Sequence, residues 1–118
     1  MIAIPLEQQL AERLAVALKM ATASEFRFHA TRKWRADVML FDADGRPVLA
    51  VELDGGKGRH RTFIGSSRDA EKRNALVAMR IYQLTFPTSI VRNRMDDVVS
   101  EISEIVCGQV PTQSCMLK

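Results

Sequence analysis

Asp37 and Glu52 stand where apolar segments do not ordinarily carry charge, the first inside Trp34 to Phe41 and the second inside Val48 to Leu53. A lone ionised carboxylate is expensive to bury in such a run. The two residues lie at comparable distances on either side of Asp42-Ala-Asp-Gly-Arg-Pro47, whose Asp-Gly pair signals a hairpin, so they are expected side by side on adjacent antiparallel strands. Neighbouring carboxylates repel unless a cation lies between them, and hard oxygen donors suit Mg2+ or Mn2+, with waters completing the shell. Period two puts Asp54 on the Glu52 side, so a third acid is expected to converge there. A metal held this way polarises a phosphoryl oxygen and lowers the pKa of a bound water, the two requirements of phosphodiester hydrolysis. The structural alternative is an ion pair of Asp37 or Glu52 with Arg35 or another cation, and for Asp54 a turn ahead of Gly55-Gly56.

Cations flank these acids. Arg27, Arg32, Lys33 and Arg35 form one run and Lys57, Arg59, Arg61 and Arg68 another, eight of the seventeen basic residues, which predicts a basic rim for phosphate contact around an acidic centre. The bland alternative is a solvated charged surface. Net charge is only +3, so distribution matters more than the total.

The elements that must hold these residues can be read from periodicity. With 118 residues, 47% apolar and 26% charged, the chain fits one globular domain, expected over residues 1–108 with a frayed tail over 109–118. Leu6, Leu10, Leu14, Ala17 and Leu18 predict a helix from Pro5 to Met20. Glu25 to His29 and Trp34 to Phe41 read as strands, and Val48 to Leu53 as a third. Gly55 to Ser67 reads as a loop, after which Ser67 caps a helix to Met79 with Ala75, Leu76 and Met79 buried. Ile81 to Phe86 is a strand ended by Pro87, and the spacing from Ile90 to Val106 predicts one closing helix. The order helix, three strands, helix, strand, helix predicts an α/β sandwich with a mixed sheet flanked by helices. Cys107 and Cys115 have no zinc spacing, and the start of the chain has neither a signal-peptide pattern nor a spanning segment. A cytoplasmic protein with no membrane partner, of bacterial or phage-infected cells, is the expectation.

The sequence Phe28-His-Ala-Thr-Arg-Lys-Trp-Arg-Ala-Asp37, then Leu49-Ala-Val-Glu-Leu-Asp-Gly-Gly56, Gly58-Arg-His60 and Asp69-Ala-Glu-Lys-Arg-Asn74, resembles the PD-(D/E)XK nuclease superfamily. The likeness is to its phage and bacterial branch of very-short-patch-repair-like and virus-type replication-repair nucleases, over Glu7 to Phe86. It implies a restriction-endonuclease-like core. It also implies that Asp37 and Glu52 bind metal with the Leu53 carbonyl, and that Glu7 is the first-helix acid. Asp54 departs from the general pattern, which has lysine there, although related members of this branch use an acid.

A lysine from elsewhere could replace it. Lys72 aligns with Ala75, Leu76 and Met79 on the sheet-facing side, where its amine could orient water or stabilise developing charge. Lys57 and His60 compete, His60 also as proton donor to the leaving oxygen. Glu7 has a simpler account as a first-turn acid, and Asp69 with Lys72 as a helix-face pair. The leading reading is a Mg2+- or Mn2+-dependent DNA endonuclease acting on duplex or branched DNA, with a homodimer expected if both strands are cut. The rival readings are a nuclease-fold module that binds nucleic acid or a partner without cutting, and a small-substrate phosphatase.

Overall fold

A hairpin organises the centre of the molecule. In the computed structural model, which describes residues 3–55 and 63–109 (backbone only for 63–69 and 109), β2 (Arg35–Phe41) turns into β3 (Pro47–Asp54) through the Asp-Gly segment. Gly45 takes φ +85, which an L side chain resists. Asp42 closes the turn from both of its ends: its backbone N–H donates to the Arg46 carbonyl at 2.8 Å, and its Oδ1 accepts from the N–H groups of Asp44 and Arg46. β1 (Ala21–Arg27) pairs antiparallel with β2, and β4 (Tyr82–Pro87) joins β3 in parallel. The sheet is therefore mixed, in the order β1-β2-β3-β4.

Both faces of the sheet are covered, which explains why β2 and β3 are apolar almost throughout. Val38, Leu40, Leu49 and Val51 pack with Leu10 and Leu14 of α1 (Leu6–Leu18). Val91 of α3 (Thr88–Asn93) and Val98, Ile102 and Val106 of α4 (Met95–Gln109) complete that core. Met39 and Ala50, one residue out of phase, pack on the other side with Leu76 of α2 (Phe63–Ala78), Phe28 and Ile81. The molecule is an α/β protein with a four-stranded mixed sheet flanked by helices. Among the described residues no helix is long and apolar enough to cross a membrane.

Several boundaries differ from the expectations. α2 begins at Phe63, so Ser67 lies inside the helix and does not cap it, and Met79 falls beyond its end, 42% exposed. β1 starts at Ala21, four residues before the alternating pattern. The closing helix is two helices: Arg94 leaves the helical region at φ −136 while its N–H still reaches Ile90, ending α3. Pro87 ends β4 as read and flanks α3 on its N-terminal side. Of the tail, only Gln109 falls among the described residues, as the last residue of α4.

Candidate functional site

The ladder between β2 and β3 holds Val38 against Val51 and Met39 against Ala50, so the next pair along is Asp37 opposite Glu52. In an antiparallel pair, opposed residues share a face. The backbone ladder gives way at this point to a side chain: the Leu53 N–H donates to Asp37 Oδ2 at 2.7 Å. A strand residue directs its N–H and C=O to the same neighbour, so the Leu53 carbonyl faces the gap that Asp37 occupies. The site lies at the carboxyl end of β3, where α/β sheets commonly open a crevice.

Glu52 is half-buried and has a divided environment. Its Oε1 accepts from Lys72 Nζ at 3.3 Å, whereas its Oε2 is buried without a hydrogen-bond partner. Desolvation pushes the carboxyl from 4.5 up to about 7, opposed by Lys72 and by the Asp37 backbone N–H and helped by the Asp37 charge. An orphaned carboxylate oxygen beside a second carboxylate is a donor set suited to a hard divalent cation. Lys72 reaches Glu52 because Ala75 and Leu76, three and four residues on, seat that side of α2 on the sheet.

Asp54 does not join the pair. It is exposed, at the end of the β3–β4 register opposite Pro87. Among the described residues no group of three or more His, Cys, Asp and Glu side chains gathers as a metal cage, so the three-acid convergence is replaced by a pair.

Glu7 sits in the first turn of α1 and meets an acid that the sequence reading did not single out. Glu25 adopts φ +51 in the interior of β1, opposite Asp37 in register, and its carboxyl is held above the ordinary range. The chief cause is a hydrogen bond in which the protonated Glu25 donates to Glu7; the Glu7 charge, burial and Asp37 act in the same direction, and Arg35 opposes them. Arg35 pairs with Glu25 at 3.1 Å, and the structural ion pair weighed for Asp37 and Glu52 forms at Glu52, with Lys72 as the cation.

Of the first basic run, Arg32 and Arg35 are engaged in ion pairs. Arg32 pairs with Glu71 at 2.8 Å and lies 4.2 Å from the Trp34 ring centroid. Lys33 is exposed and makes no ion pair among the described residues. Trp34 is half-buried and stacks on Phe28, and His29 Nδ1 accepts from the backbone N–H groups of Thr31 and Arg32, a structural role. Lys57, Arg59, His60 and Arg61 lie outside the described residues, as do the side chains of Arg68 and Asp69. No protein-family model, curated protein or solved structure matches the chain.

Proposed function

We propose that the chain is a Mg2+- or Mn2+-dependent DNA endonuclease of restriction-endonuclease-like fold. The observation that carries the reading is the orphaned, buried Glu52 Oε2 opposite Asp37, with Lys72 on the other Glu52 oxygen. Asp37, Glu52 and the Leu53 carbonyl would hold the ion, which supplies charge to a phosphoryl oxygen and acidifies a water. Asp37 is oriented by the Leu53 N–H, which leaves its second oxygen for a ligand. Lys72 offers an amine in the position vacated by the Asp54 departure, where it can hold a hydroxide or the developing phosphate charge. Glu25, beside Glu7 and Asp37, holds its proton more tightly than an ordinary carboxyl. The resemblance in motif spacing supports this reading, and the basic residues that flank the acids in the sequence suit a phosphate backbone.

The test is cleavage of plasmid, branched and single-stranded DNA with Mn2+, repeated with Asp37→Ala. Loss of cleavage in the variant, with its fold intact by circular dichroism, supports the assignment; unchanged cleavage refutes it. A second reading, a nuclease-fold module that does not cut, draws on the Lys72–Glu52 ion pair, which satisfies half of the site without metal. Calorimetric titration with Mn2+ separates the two, since a module of that kind gives no heat of binding.

A further inference from the structure

A groove lies along the β4 edge of the sheet, beyond the acid pair. It is open, about 880 Å3 in volume, and runs between the end of α2, β4 and the start of β3. Arg46 enters it from the hairpin turn, Arg73 from α2 and Arg80 from the residue that closes α2. None of the three guanidinium groups makes an ion pair among the described residues. The acid in the lining, Asp42, is occupied at Oδ1 by two backbone N–H groups of its own turn, so the groove presents an excess of positive charge.

The surface between these cations is apolar. Val77 is 72% exposed and the Tyr82 ring 51% exposed, both on the groove wall. Gln83 directs its Nε2 to Thr85 Oγ1 at 3.5 Å, which leaves its Oε1 buried without a partner. Thr85 closes the groove at one end and is the register partner of Glu52 across β3 and β4. The groove therefore ends beside the candidate catalytic pair.

Arg80 adds a further sign of selection for charge. It occupies the left-handed position after α2, φ +62, while the Ile81 N–H reaches back to the Leu76 carbonyl at 2.9 Å. That closing geometry favours glycine. An arginine there is conformationally strained, and its side chain lines the groove.

The geometry points to a binding site for one or two unpaired nucleotides of a single strand, with phosphates on Arg46, Arg73 and Arg80 and a base on the exposed Tyr82. This rests on the nuclease reading for its choice of polymer and names the strand form that the site takes. A stacked duplex cannot lay a base on the groove wall, whereas an unpaired or extruded nucleotide can. An acidic peptide would match the arginines but would leave the exposed aromatic face of Tyr82 without purpose.

The test is fluorescence anisotropy with a short fluorescein-labelled single strand of mixed sequence and with the same sequence as duplex, both in EDTA. The wild type is expected to bind the single strand more tightly. Tyr82→Ser should weaken single-strand binding about five-fold or more with the salt slope unchanged. Arg80→Gly should lower the salt slope by about one while leaving the thermal midpoint equal or raised, a combination that a merely structural arginine would not give. Arg92→Ala, an exposed cation on α3 away from the groove, should bind as wild type. Equal binding by Tyr82→Ser and wild type, or displacement of the strand by polyglutamate at equal charge, overturns the proposal. The outcomes separate from those of the nuclease reading because binding is read without metal. If the groove variants lose binding while no DNA is ever cut, the groove stands and the nuclease falls. If DNA is cut and the groove variants bind normally, the reverse holds.

Discussion

Glu52 carries the largest electrostatic strain described in the molecule, and its sign makes it testable. Its folded pKa of about 7 lies above the ordinary 4.5, so between these values the folded protein holds a proton that the unfolded chain has lost. The metal-free protein should therefore lose stability as pH rises through that window, by on the order of 3 kcal/mol in total. Urea denaturation in EDTA from about pH 4 to about pH 8 reads this slope. Glu52→Gln should flatten it and be the more stable protein at the alkaline end; an identical slope in the variant would show that another group is responsible. Mn2+ should stabilise the wild type more near pH 8 than near pH 5, because the ionised carboxylate is the ligand. Lys72→Met should lower kcat for DNA cleavage about a hundred-fold or more with Mn2+ affinity retained, and a fall in affinity alone would make Lys72 a mere counter-charge. Asp37 and Glu52 could be found from sequence because a charge inside an apolar run has few structural uses. Glu25 could not, since in Glu-Phe-Arg-Phe it occupies an ordinary polar position of an alternating strand. Only its left-handed backbone and its approach to Glu7 single it out.

At the scale of elements, the β2–β3 hairpin sets the register that opposes the two acids, and Gly45 is where that register depends on backbone freedom. A Cβ at Gly45 would meet nothing within 4 Å, so the cost of Gly45→Ala is purely conformational, about 1 kcal/mol, readable as a shift in the denaturation midpoint. If the loss were several kcal/mol, or if cleavage fell with stability unchanged, the hairpin would be serving some role other than register. The hairpin and the parallel return of β4 were legible because an Asp-Gly turn and a crossover helix each permit few geometries. Other features were hidden for identifiable reasons. Ala21 to Ser24 are small and unpatterned, and they become strand only because β2 offers a partner edge. The break at Arg94 involves neither proline nor glycine, and the apolar spacing runs on across it, so periodicity alone joins α3 to α4. Glycine at position 65 argued against helix there, yet α2 spans it.

For the whole molecule, the two layers on the sheet are unequal, and the difference bears on the site. Among the described residues the α1, α3 and α4 side buries fourteen core residues, and Arg13 of α1 pairs with Asp96 of α4 across it. Among the described residues the α2 side buries six, and of these only Leu76 belongs to α2. The described part of α2, residues 70–78, which carries Lys72, is held to the sheet by Leu76 and the partly buried Ala75, and its opening should cost less than global unfolding. Native-state hydrogen exchange is expected to show the second half of α2 exchanging well ahead of β2 and β3. Leu76→Ala removes a fully buried side chain and should lower stability by about 2 kcal/mol or more, with most of the extra exchange confined to α2. Because Lys72 sits one turn before Leu76 while Asp37 and Glu52 belong to the sheet, the same substitution should reduce kcat and leave the Mn2+ binding enthalpy nearly intact. If Leu76→Ala instead accelerates exchange uniformly, or weakens Mn2+ binding as much as it slows cleavage, then α2 and the sheet open as one unit and the amine is not independently mobile relative to the acids.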